Sequence, residues 1–282
     1  MFAIITIVIW QIFRSLSAVF VIVNAIFIHL SGALPIRVFQ IFEYLFTSSL
    51  SQTTVETIRQ TVQVHSRMYL MIYDFPALAF IFVVVILLER KFFERASFGT
   101  LFIFGAIATS IFEHLVIVTV VAYISFYHRH KYRQLRGPVT ALCLGAISSL
   151  GVAVTVGTIA NDGIGSSLAG TYASFAQSNL QHLDQIIAGF LIVLVPALFY
   201  GFIIGVILPQ KYIANITIST SIKNSIRSLI IGLVFTYSIG LFSSGLSSEL
   251  SRQTLGLQVL LILYSFVLIV KKRQGLRVRI SN

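Results

Sequence analysis

Long segments of this 282-residue chain are apolar on all sides of any helix they could form. Segments 4–30, 98–127 and 186–208 each exceed the roughly 20 residues that a helix needs to cross the hydrocarbon core of a bilayer. A helix on a soluble core would keep a polar stripe at the 3.6-residue period. Charged residues form 10% of the chain, against about 25% in soluble domains. The sequence therefore predicts an all-α fold, a polytopic transmembrane helix bundle.

We interpret the chain as about seven spans within a single integral membrane domain, 1–282. The candidate segments are 4–30, 69–88, 98–127, 139–159, 186–208, 228–242 and 255–270. Arg14 interrupts the first segment, and glycines weaken the sixth. Six spans plus an N-terminal interfacial helix is therefore the alternative count.

Segment 34–68 has a different pattern from the spans. Arg37, Gln40, Glu43 and Thr47 recur every three or four residues, and apolar residues fill the other side. This periodicity predicts amphipathic helices that lie in the membrane interface rather than across it. The segment is interpreted as a cytoplasmic-side connector, with a docking surface for a partner subunit as the alternative.

The distribution of Lys and Arg predicts the orientation. Segments 34–68, 128–137, 209–227 and the basic tail 271–282 carry 15 of these residues, whereas the remaining connections carry four. The positive-inside rule then places the C-terminus inside, and with seven spans the N-terminus outside. Segment 160–185, which has no basic residue, becomes an outer polar loop. Which membrane holds the protein is not indicated.

Four polar residues are candidates for a transport site or an ion pair. Glu113 and His114 are adjacent in the middle of the third candidate span, where a carboxylate is costly and often functional. Arg14 lies at a similar predicted depth and is its candidate partner. Asp74 precedes Pro76, which suggests a broken helix with an ion site. The alternatives are a packing role for Glu113 and a helix start at Asp74.

Basic residues beside the spans are candidates for contact with lipid or with a partner. They are Arg129, Lys131, Arg133, Arg136, Lys271, Lys272 and Arg273. Anionic headgroups attract such clusters, so the predicted partners are a bilayer with anionic lipids and other membrane subunits or a second copy of the chain. The net charge is +11, but the basic residues lie mainly beside the membrane spans. We therefore do not predict nucleic-acid binding.

Few features of the sequence indicate catalysis. There is no phosphate-binding glycine loop, no His-Glu-x-x-His pattern and no serine nucleophile elbow. His182 and Asp184 supply too few ligands to predict a metal site, and no cofactor is indicated. The sequence therefore favours a transporter or permease-type subunit with a polar mid-membrane site over an enzyme. The alternatives are a non-catalytic structural subunit of a large respiratory or secretion complex and a seven-helix receptor.

Overall fold

The computed structural model describes residues 2–30, 33–46, 48–66, 74–127, 132–160, 181–213, 216, 218–243 and 248–280. These residues are almost entirely helical, and no strand occurs among them. The helices are α1 (Phe2–Phe13), α2 (Leu16–Leu30), α3 (Ala33–Phe46), α4 (Gln52–Ser66), α5 (Asp74–Glu89), α6 (Phe92–Arg95), α7 (Phe98–Ile111), α8 (Glu113–Tyr127), α9 (Tyr132–Ala160), α10 (Leu183–Ile207), α11 (Gln210–Ile213), α12 (Thr220–Ser243) and α13 (Ser248–Ile280).

Three helices in the described ranges are long and apolar enough to cross a membrane. The spanning windows are Leu135–Val152 in α9, Leu183–Ile207 in α10 and Thr254–Gly275 in α13. The all-helical class and the membrane assignment agree with the sequence analysis. The count of seven spans is not confirmed, because four other apolar helices are shorter than a full crossing requires.

The first candidate span, 4–30, is not one continuous helix. Arg14 has a φ of 48°, a left-handed conformation that a right-handed helix cannot contain. Its N–H still donates to the carbonyl oxygen of Trp10 at 2.7 Å, so Arg14 ends α1. The N–H of Ala18 then donates to Ser15 Oγ in the first turn of α2. Arg14 therefore divides the first candidate segment into two helices, and a full first span is not confirmed.

The third candidate span, 98–127, is a helical hairpin. The ring of Phe93 lies 5.6 Å from that of Phe104 in α7 and 5.5 Å from that of Tyr123 in α8. In one continuous helix, Phe104 and Tyr123 would be about 28 Å apart along the axis. The chain therefore reverses at Phe112, whose extended backbone separates the two helices.

The last three long helices alternate in direction. Gly201 of α10 packs against Ile262 of α13, and Gly205 packs against Ile269, so α10 and α13 run parallel. In the antiparallel α12, the ring of Tyr237 stacks on that of Phe190 near the start of α10, at 4.1 Å. These three helices form the centre of the bundle, on which α2, α4, α5 and α8 pack.

One end of the bundle, here named the basic end, consists of residues 89–98, 137–138, 209–213, 216, 218–220 and 271–274. Three contacts join its parts. Ser219 Oγ donates to Glu89 Oε1 at 3.3 Å, and Lys271 Nζ donates to Thr220 Oγ1 at 3.3 Å. The residues Glu94, Phe98 and Pro138 line one shared cavity. The connection between α5 and α7 therefore lies at the same end as the start of α9, the connection before α12 and the basic part of α13.

Helix α4 lies towards the opposite end of the bundle. Ile58 and Thr61 face Gly189, one to two turns after the start of α10, and Val193 joins the same apolar cluster. Gln185 Nε2 also donates to Thr54 Oγ1 at 3.5 Å. The amphipathic α3 predicted from the periodicity is present and packs beside α4 and α10.

Glycines bring several helix backbones into direct contact. A Cβ at Gly105 would overlap the carbonyl oxygen of Leu142, and one at Gly145 would overlap that of Phe102, so α7 and α9 lie unusually close. The same holds for Gly201 of α10 against the carbonyl of Ile262 in α13. Small residues at such crossings are typical of helix packing in membranes.

The hairpin predicts a short distance across residues that are far apart in sequence. Spin labels at Thr100 and Ile124, both exposed, should lie below about 20 Å apart, since packed helix axes are about 8–10 Å apart. A continuous helix would place them about 36 Å apart. Pulsed electron paramagnetic resonance in a Cys143→Ser background measures this, and a distribution centred near the longer distance would contradict the hairpin.

Candidate functional site

A histidine and a glutamine form a polar pair inside the bundle. His29, in the last turn of α2, is 1% exposed, and Gln258, in α13, is 2% exposed. His29 Nε2–H donates to Gln258 Oε1 at 2.8 Å. The pair joins residues 229 positions apart in the chain, and most of the buried side chains in the surrounding cluster are apolar.

The side chain of Tyr200 completes this cluster from a third helix. Its ring meets the imidazole of His29 edge to face, with 5.7 Å between the ring centroids. Since Gly201 packs on Ile262, Tyr200 and Gln258 lie near the same level, well inside α10 and α13. The His29–Gln258–Tyr200 cluster therefore lies within the spanning windows of α10 and α13.

The second nitrogen of the His29 ring makes this cluster chemically distinctive. Nδ1 is buried and has no hydrogen-bond partner among the described residues. When Nε2 carries the hydrogen that bonds to Gln258, a neutral ring holds a lone pair on Nδ1. That lone pair is a site where the ring can take up a proton, and burial in an apolar environment disfavours the resulting cation unless a partner arrives.

Arg14 lies at the basic end of the bundle instead of in the middle of a span. It lines a cavity with Glu89, Arg90 and Ser219, and its side chain is exposed. Glu113 begins α8, about 21 Å along the helix axis from Tyr127, which lies near Glu94 at the basic end. The fold therefore does not favour the predicted pair of Arg14 with Glu113.

The other acidic and histidine candidates lie at helix starts. Glu113 and Asp74 are the first residues of α8 and α5, and the side chains of both lie outside the described part of the structure. The half-buried ring of His114 stacks with that of Phe112 at 5.6 Å in the hairpin turn. Asp74 is the first described residue after Ser66, so both interpretations of Asp74 stay predictions.

The basic candidates separate into residues with and without a described contact. Arg273 donates from one guanidinium nitrogen to the carbonyl oxygens of Gly205, Val206 and Leu208 at 2.7–2.9 Å, and so caps the C-terminus of α10. Lys272 and Arg136 are exposed. Residues Arg129 and Lys131, the side chain of Arg133 and most of the outer loop 160–185 lie outside the described residues.

Segment 34–68 is held together by ion pairs between its own helices. Arg59 in α4 bonds to Glu43 in α3 and to Glu56 in its own helix, the latter at 2.6 Å. The hydrogen bond and charge of Glu43, followed by those of Glu56, raise the pKa of the Arg59 guanidinium. This contact fixes α3 against α4.

The described residues contain no group of three or more metal-ligating side chains. His182 and Asp184 are both exposed near the start of α10. Comparison of the chain with protein-family models, with curated proteins and with solved structures finds no match. The features that bear on function are therefore the His29–Gln258–Tyr200 cluster and the basic end of the bundle.

The sequence analysis did not single out His29 and Gln258. His29 is the one ionisable residue of the apolar segment 16–30, and Gln258 is the one amide side chain of the apolar segment 255–270. An isolated polar residue in such a segment is a functional candidate by the same physical reasoning that selected Glu113. Only the fold shows that the two meet.

The polar pair makes a prediction about stability. Gln258→Leu should destabilise the protein by about 1–3 kcal/mol, because it leaves a buried N–H of His29 without an acceptor. The double variant with His29→Leu should recover most of that loss, since both polar groups are then gone. Denaturant unfolding in detergent measures both changes.

Asn24→Leu is the matched control for this experiment. Asn24 is an exposed amide on the same helix and bonds to the carbonyl oxygen of Phe20. Its replacement should have little effect. Equal stability of wild type and Gln258→Leu would contradict the pairing of His29 with Gln258.

Proposed function

We propose that this chain is a transporter or permease-type membrane protein in which the His29–Gln258–Tyr200 cluster exchanges a proton during transport. The proposal is carried by the imidazole of His29, which is 1% exposed and hydrogen-bonded to Gln258 through Nε2. Its Nδ1 has no hydrogen-bond partner among the described residues. An ionisable side chain inside a membrane bundle is costly to keep, and proton relays use such groups.

Short and broken helices support the same proposal. The chain reverses between α7 and α8 at Phe112, after α7 has advanced about 20 Å from the basic end, which is less than a full crossing. Backbone that is not helical is tolerated at membrane depth where protein covers it or where it lines a polar path. Transporters use such discontinuous helices to bring polar groups into the bundle.

A structural subunit of a large membrane complex is the second candidate function. The observation that favours it is the exposed apolar side of α3, which includes Ile41, Tyr44 and Leu45. A neighbouring subunit would cover this side in a complex, whereas a lipid interface would cover it in an isolated protein. No described feature specifically favours the seven-helix receptor.

Proton movement through purified protein tests the proposed function. Reconstituted vesicles with an enclosed pH-sensitive dye and a potassium diffusion potential should acidify faster than protein-free vesicles. His29→Gln, which removes the titrating ring, should lower the rate to that of protein-free vesicles, whereas the control Asn24→Leu should leave it unchanged. Equal rates for wild type and His29→Gln would overturn the proposal.

We also propose an orientation in which the basic end faces the cytoplasm. Segment 89–97 lies at the basic end, and α4 lies towards the opposite end. In this orientation segment 89–97 is therefore inside and segment 34–68 outside, the reverse of the sides assigned to them from the sequence. Segment 89–97 and segment 34–68, which contains α4, each have three basic residues, so the asymmetry of 15 against four is retained after the exchange. The positive-inside rule therefore supports this orientation equally well.

Single-cysteine labelling distinguishes the two orientations. In a Cys143→Ser background, Thr53→Cys should react with a membrane-impermeant maleimide in intact cells. Thr53 is exposed and lies in the first turn of α4, towards the end of the bundle opposite the basic end. Gly99→Cys, where nothing lies within 4 Å, should react only after the membrane is opened. The reverse pattern would restore the orientation taken from the sequence.

A further inference from the structure

A cavity of about 870 Å³ lies at the basic end of the bundle. Its walls come from the end of α1, the end of α5 and the segment that leads into α12. The cavity does not include the His29–Gln258–Tyr200 cluster, so it requires a separate explanation.

Two arginines give the cavity its charge. Arg14 and Arg90 line it, and neither makes an ion pair within the part of the chain that the structure describes. The one carboxylate in the wall, Glu89, accepts a hydrogen bond from Ser219 at 3.3 Å. Two guanidinium groups and one carboxylate leave a net charge of +1, which matches a ligand with one negative charge.

The rest of the wall is suited to a molecule with an apolar part. Ile86 and Ile218 are half-buried and contribute an apolar surface beside the arginines, whereas Ile12 and Ile222 are only 2–3% exposed. Trp10 lies at the rim and is 42% exposed. Tryptophan is enriched where membrane proteins meet the headgroup region, so the cavity has the composition of a site at the edge of a bilayer.

We propose that this cavity binds an anionic phospholipid with one phosphodiester charge. Arginine hydrogen-bonds phosphate oxygens through its planar group of N–H donors, and Arg14 and Arg90 supply two such groups. Glu89 accepts from hydroxyl groups, as its bond with Ser219 already shows, so a headgroup that carries hydroxyls fits beside it. The isoleucines then contact the first part of the acyl chains.

The left-handed conformation of Arg14 places its side chain for this contact. A non-glycine residue with a φ of 48° costs free energy, and the packing of α1 and α2 must hold it there. This conformation ends α1 at the rim of the cavity, beside Trp10 and Gln11. A guanidinium in a continuous helix would instead lie along the wall of a span.

Trp10 is the only tryptophan in the chain, so its fluorescence reports directly on the cavity. The protein is reconstituted in phosphatidylcholine vesicles that contain either brominated phosphatidylglycerol or brominated phosphatidylcholine at the same mole fraction. Bromine quenches tryptophan on contact. Brominated phosphatidylglycerol should quench Trp10 more strongly, and the preference should fall about five-fold when either arginine is neutralised.

The variants are chosen to keep the fold intact. Arg14→Gly removes the charge and tolerates the positive φ, and Arg90→Gln removes the second charge. Arg95→Gln is the matched control, because it removes one charge from the same end but lines the other cavity. The control should retain the preference for phosphatidylglycerol.

Three results would overturn the proposal. Equal quenching by the two brominated lipids in wild-type protein would mean that the cavity does not select an anionic lipid. Loss of the preference on addition of millimolar inorganic phosphate would assign the site to a soluble phosphate compound instead. A preference that survives phosphate and falls about five-fold in each arginine variant supports the lipid, and a preference unchanged in both variants would also overturn the proposal.

Discussion

Close contact between helix backbones at glycines is the interaction on which this bundle depends. Within lipid, apolar side chains gain little by leaving one apolar neighbour for another, so helices associate through van der Waals packing. Gly105 of α7 packs against a carbonyl group of α9, and Gly145 of α9 packs against a carbonyl group of α7. Gly201 makes the same kind of contact between α10 and α13. The crossing of α10 with α13 fixes the two helices that carry Tyr200 and Gln258.

The membrane class could be predicted from the sequence because it depends on composition averaged over long segments. Segment 183–207 is one helix of 25 residues, close to the predicted span 186–208. The amphipathic α3 was also predictable, since the period of its polar residues is a local property. Both predictions needed no knowledge of which helix packs on which.

The reversal at Phe112 and the break at Arg14 could not be predicted in the same way. Neither position has the glycine or proline that usually marks a turn, and both lie in segments that remain apolar on either side. The evidence for the hairpin is the ring of Phe93, which packs on both α7 and α8. Such a contact exists only in the folded chain. The hydrogen bond of His29 with Gln258 could not be predicted for the same reason, because it joins residues 229 positions apart.

The two polar sites are connected through one helix. Arg14 lies two residues before the start of α2, and His29 lies in the last turn of α2, so α2 runs from the basic-end cavity to the buried cluster. An α-helix is stiff along its axis, and a shift of one residue would move His29 by about 1.5 Å and rotate it by about 100°. Its Nε2–H would then lose Gln258, since hydrogen bonds weaken steeply with misalignment. The bond of His29 with Gln258 therefore requires α2 to keep the register that it has in this structure, with the basic-end cavity at one end of the helix and the polar cluster at the other.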